Sequence, residues 1–170
     1  MPDLDHLNNL SESEAIREFL KCCGSRNWAH QLVSRRPFAS RDELLDAATK
    51  IWWEADRDDW LEAFRSHPKI GEKKAAAEVS SQAASWSGQE QAGVRDSDGE
   101  TLDELARLNR LYDAKFGYIF IVCASGKTAP EMLNLLKARI DSNPEREIRI
   151  AAGEQAKITE IRLRKLLGEE

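Results

Sequence analysis

Helix-start signals recur along this chain, and only one run among them reads as a strand. That imbalance constrains the fold more than any other feature. Ser11 with Glu14, Ser40 with Glu43, and Thr101 with Glu104 each form the S/T-x-x-E capping box. In that motif the hydroxyl accepts from the third backbone N–H, and the acid reaches back to the cap. Each box precedes apolar residues at helical spacing. The exception is "YIFIVCAS", residues 118–125, which is apolar without a helical gap. A strand needs a neighbour for its backbone N–H and C=O groups, and no second strand is legible. The expectation is an all-α chain, a single domain of about eight helices over residues 1–170, with one extended segment near 118–125.

Along the chain, Ile16, Phe19, Leu20 and Cys23 make one face of a helix that Gly24 stops. A short helix spans Trp28 to Ser34 and ends before Pro37. Leu44, Ala47, Ala48, Ile51 and Ala55 form the next stripe. "DDWLEAFRSH" follows as a helix closed by Pro68. Residues 73–79 are expected to add a turn or two. "SSQAASWSG" is the loosest stretch, with a helix restarting near Ser87. After a loop at "VRDSDGE", Thr101 opens a long helix. Its inner face is Leu102, Leu105, Leu108 or Asn109, Tyr112 and Phe116, and Gly117 ends it. Thr128 opens another helix, with Pro130 in its first turn. Asn143-Pro144 starts the last, which runs to about Leu167.

Composition sets limits on function. At 170 residues, about two-thirds of the unfolded surface can be buried. The net charge of -5, with Lys and Arg scattered, argues against a nucleic-acid surface. No apolar run reaches the roughly 20 residues of a membrane span. The start lacks a secretory pattern and "LLGEE" is not a peroxisomal address, so the cytoplasm is the expected location. Cys22, Cys23 and Cys123 have no CxxC spacing and read as reduced, packed thiols.

Few residues offer chemistry. His67 precedes Pro68 in "FRSHPKIGEK". Proline disfavours helical geometry in the residue before it, so this imidazole is tied to no helix face. With an ordinary pKa near 6.5 it suits acid–base work, yet it also reads as a surface histidine at a helix end. Ser87 and Glu90 in "SGQEQ" read as a cap, which leaves Gln91 unexplained. Their position also suits a site at a helix N-terminus. Arg162 lies on the stripe of Ile158 and Leu166. There it either snorkels or grips a carboxylate. The segment Phe120, Ile121, Val122, Cys123 and Ala124 offers backbone groups to a ligand, or is a buried connector. No metal-ligand spacing, complete phosphate loop or G-x-S-x-G is present; "ASGKT" has Ile121 where a Walker motif needs glycine.

Taken in order, "HPKIGE", "SGQEQAGV", "LNRLYDAKFGYIFIVCASG", "LLKARIDSNPE" and "KITEIRLRKLL" form one pattern. It resembles the 2-oxo-4-hydroxy-4-carboxy-5-ureidoimidazoline (OHCU) decarboxylase family over about Leu10 to Leu167. The resemblance implies an all-α carboxy-lyase of urate breakdown that needs no cofactor or metal and yields (S)-allantoin and CO2. It implies His67 as the essential catalytic residue, with Glu90 and Arg162 acting beside it. Pro68, Ser87, Gln91 and the backbone of residues 120–124 would hold the substrate. The expected partner is that small molecule, with a homodimer as an option and no nucleic acid or membrane. A non-catalytic helical interaction module is the rival. It would show a broad exposed apolar patch.

Overall fold

The computed structural model describes residues 3–68, 81–94 and 98–169, and the expected turns at 73–79 fall outside them. Among the described residues there are nine α-helices, one short 3-10 turn and no strand. This matches the all-α expectation. The chain divides into two compact units, one of Met1–Ala63 with Ala156–Glu170, the other of Phe64–Gln155.

The first unit holds α1 (Leu4–Asn9), α2 (Glu12–Leu20), α3 (Arg26–Ser34), α4 (Arg41–Glu54), most of α5 (Arg57–Arg65) and the end of α9 (Pro144–Leu166). The Ser11–Glu14 box forms with both hydrogen bonds present. Ser40 caps α4 as expected. Helix α1 is an addition to the sequence reading. Asp3 caps its start, and the carbonyls of Leu7 in its last turn and of Leu10 just past its end accept from the Arg36 guanidinium at 2.7 and 2.9 Å. The core gathers Phe19, Trp28, Leu32, Leu44, Ile51 and Trp52. The Phe19 and Trp28 rings meet edge-on at 6.3 Å. The Trp28 indole N–H donates to Ala48 O at 3.0 Å, so its one polar atom is not stranded. Burying such side chains stabilises by roughly 1.5–3 kcal/mol each. The true buried stripe of α2 is Ala15 and Phe19, continuing to Cys22 and Cys23; Ile16 and Leu20 sit at its margin.

The second unit holds α6 (Ser81–Glu90), a 3-10 turn at Ala92–Val94, α7 (Gly99–Phe116), α8 (Ala129–Arg139) and the first half of α9. Leu105, Leu108, Asn109, Tyr112 and Phe116 form the buried face of α7, as its spacing indicates. Gly117 stops it at φ 82°, a left-handed angle that suits glycine, and its N–H returns to Asp113 O at 2.8 Å. Phe116, Tyr118 and Phe120 all lie 4.6–5.8 Å from the Tyr112 ring. Thr128 caps α8. Residues 119–124 are neither helix nor strand, as expected for the extended segment.

Two helix starts differ from expectation. The cap of α7 is Asp98, whose carboxylate accepts from Thr101 N at 2.7 Å, and not Thr101 itself. Helix α6 begins at Ser81, six residues before the Ser87 restart. The S-x-x-E spacing is also the i, i+3 spacing within a helix, so the motif alone does not distinguish a start from an interior.

Candidate active site

His67 lies just past α5, where its N–H closes a turn onto Phe64 O at 3.2 Å. Pro68 prevents that turn from continuing as helix. Within the second unit, the Phe64 ring packs on Tyr118 at 5.3 Å, joining the aromatic cluster around Tyr112. The imidazole is buried rather than exposed at a helix end. Its Nε2 is 2.6 Å from Oε1 of Gln155, a side chain of α9 with 0% exposure.

Ser87 and Glu90 are also buried, and Gln91 is half-buried. They occupy the last turn of α6 and the residue after it, with Gln91 N donating to Ser87 O at 3.1 Å. The expectation of a helix N-terminus here, with free N–H groups for an anion, is therefore corrected. This is a C-terminal end, whose partial charge is negative. Any anion-binding role must come from side chains.

After Gln91 the chain makes its 3-10 turn directly against the loop that follows the extended segment. A Cβ built on Gly93 would overlap the Lys127 carbonyl oxygen and lie 3.2 Å from its carbon. Only glycine lets the end of α6 close onto residues 127–128.

The extended segment Phe120–Ala124 is buried throughout, and side chains hold much of its backbone. Arg139 donates to Ile121 O at 2.6 Å. Glu154 accepts from Cys123 N at 3.3 Å, and the Lys127 ammonium donates to Cys123 O at 2.6 Å. Val122 N–H and C=O take no hydrogen-bond partner among the described residues. Burial raises the Cys123 thiol pKa. The Glu154 and Glu90 carboxylates push the same way, and the Lys127 ammonium opposes them. Glu90 at the end of α6 and Glu154 on α9 thus both act on the middle of this segment. His67 is tied to the residue next to Glu154.

Beneath the segment lies a buried ionic cluster. Arg139 Nε donates to Glu147 Oε1 at 2.7 Å and Tyr112 OH donates to the same oxygen at 2.6 Å. The guanidinium carbon stands 4.4 Å from the centre of the Phe120 ring. Burial, then the bond to Glu147, raises the Tyr112 pKa far above its usual range. The sequence reading singled out none of Gln155, Glu154, Arg139, Glu147 or Tyr112 as functional. A signal existed. Arg139 continues the apolar stripe of Ala129, Met132 and Leu136. Glu147 and Gln155 lie on the stripe of α9 that holds Ala151 and Ile158. A polar residue on an apolar stripe indicates a buried partner.

Arg162 belongs to the first unit. It does not snorkel: it is 3% exposed, and its guanidinium donates to Lys21 O at 3.2 Å. Its charge is felt by the buried Cys22 and Cys23 thiols, though burial dominates and raises both, Cys23 to about 12. Among the described residues no group of three or more His, Cys, Asp or Glu could hold a metal ion. None of their helices is long and apolar enough to cross a membrane.

His67 and Glu90 are both buried polar side chains, a placement more often met at a functional site than on the surface of a helical adaptor. Comparison with known proteins gives the family. Residues 8–164 match the OHCU decarboxylase family model, and the chain belongs to that family. It is 41% identical over 154 residues to the uric acid degradation bifunctional protein TTL of Arabidopsis thaliana, covering 90% of this chain and 47% of that one. It is 29% identical to the 2-oxo-4-hydroxy-4-carboxy-5-ureidoimidazoline decarboxylase of Haloferax volcanii, covering 94% of this chain and 93% of that one. The chain spans 33% of the bifunctional protein PucL of Bacillus subtilis, at 28% identity. Against the solved structure of an OHCU decarboxylase in the presence of (S)-allantoin, the TM-score is 0.76 at 40% identity, with 90% of this chain and 99% of that one covered.

Proposed function

We propose that this chain, acting as one decarboxylase domain, converts OHCU to (S)-allantoin and CO2 in urate breakdown without a cofactor. The observation that carries the reading is His67, buried at a helix break and hydrogen-bonded, in a chain that matches the family over residues 8–164.

The substrate's name places a hydroxyl and a carboxylate on C4 and the ureido group on C5. Breaking the C4–carboxylate bond releases CO2 and leaves an electron pair. The adjoining C5=N bond accepts that pair, and the nitrogen takes a proton. C5 then gains a proton on one face while the 4-hydroxyl loses its own, which gives the 4-oxo ring of allantoin. One proton is consumed overall. The ring supplies the electron sink, so the protein has to orient the bond and direct the protons. Orientation and fixed dipoles of this kind lower barriers by several kcal/mol.

His67 exchanges a proton with the hydroxyl and carboxylate region. Glu90 receives the ring or ureido N–H groups, and Arg162 binds a substrate oxygen. Pro68, Ser87 and Gln91 line the polar edge. The amide groups of Phe120, Ile121, Val122, Cys123 and Ala124 face the ureide, and the unpartnered Val122 pair supports this. The proposal extends to a cytoplasmic location and to self-association as a homodimer, which light scattering would read.

The test is His67→Asn. Circular dichroism should match the parent. Polarimetry on OHCU made in situ from urate should show (S)-allantoin forming no faster than the spontaneous background. A parental rate in the variant would end the assignment.

A further inference from the structure

We propose that Gln155 is a positioning residue for His67, fixing the ring and the site of its proton; this rests on His67 acting in the reaction above. Gln155 is wholly buried, and its Oε1 lies 2.6 Å from His67 Nε2. That is at the short end for an N–H···O bond. With the carboxamide oxygen as acceptor, this pairing calls for the ring proton on Nε2, and the proposal assigns His67 that tautomer.

The choice of an amide has a consequence. A carboxylate at this distance would stabilise the imidazolium and hold the ring charged. A neutral amide orients the ring equally well and adds no charge. The neighbouring elements already carry charge: Glu90 at the end of α6, Lys127 after the extended segment, and Glu154 beside Gln155 on α9. The anchor is also stiff. Gln155 sits on the long helix α9, whose preceding residue, Glu154, holds Cys123 N. One turn of α9 thus places both the ring and the strand-like segment.

Two variants and one spectrum test this. Gln155→Met preserves shape but cannot accept. It should lower kcat tenfold or more with KM within threefold, and add no further loss in the His67→Asn background. Gln155→Glu should move the acidic limb of the kcat profile upward by about one pH unit or more. Nitrogen-15 histidine NMR of the unmodified protein, without substrate, should show His67 protonated at Nε2 near neutral pH. Gln155→Met should lose that preference. A parental kcat in Gln155→Met, an unmoved acidic limb in Gln155→Glu, or an Nδ1-protonated His67 would overturn the proposal. If the parent does not act on OHCU, the function fails, and the spectrum still decides the positioning. If Gln155→Met does not fold, the parental spectrum and the Gln155→Glu profile decide it.

Discussion

Replacing Arg139 with Met should cost this protein much of its stability, and burial is what sets the magnitude. Glu147 is 0% exposed, and its Oε1 takes both Arg139 and Tyr112. Its Oε2 has no partner among the described residues. Methionine retains most of the stem that packs near Phe120 but removes the charge. A buried carboxylate then keeps one hydroxyl donor, and Ile121 O loses its own. Breaking one side of a buried ion pair costs about 3–5 kcal/mol. For a chain of this size each kcal/mol moves the melting midpoint by about 2–4 °C. The expected drop is therefore roughly 6–20 °C, read by calorimetry or urea titration. The exposed pair Arg107–Glu104 has a similar separation, 2.6 Å against 2.7 Å. Arg107→Met should leave the midpoint nearly unmoved, because water already screens that pair. The double variant Arg139→Met/Glu147→Met should recover much of the loss, since no uncompensated charge stays buried. A single variant within about 1 kcal/mol of the parent, or a double no better than the single, would refute the reasoning.

Two further outcomes follow from the geometry. Gly93→Ala must push the 3-10 turn off the Lys127 carbonyl. Overpacking of that kind costs about 1–3 kcal/mol, and the displaced α6 end should reduce the proposed turnover on OHCU; full parental stability would contradict the close approach. The buried thiols give a pH test. Cys23 is raised to about 12 and Cys22 is raised too, both chiefly by burial. A raised folded pKa means the stabilisation is complete below the unfolded thiol value of about 8.5 and is lost as pH climbs from there toward 12. Urea midpoints should fall between pH 9 and 11, and less steeply in Cys23→Ala. Ellman's reagent should find no reactive thiol in the folded protein at pH 8.

Local signals carried the sequence far. The Ser11–Glu14 box, the Thr128 cap and the Gly117 stop depend on neighbours within a turn or two, and all three appear as read. The buried face of α7 and the unpaired segment near 120–124 were legible for the same reason: periodicity is a local property. The resemblance to a known family singled out His67, Glu90 and Arg162 without saying how they are held. The Ser87 box failed because its spacing also fits the interior of a helix, and nothing local chose between the two. Tertiary structure alone decided that His67 faces an amide 88 residues away, that Arg139 seizes a carbonyl of the extended segment, and that Gly93 meets Lys127. Such pairings depend on which apolar faces pack together. A polar side chain on an apolar stripe announces that it needs a buried partner, but its own neighbours in sequence do not name that partner.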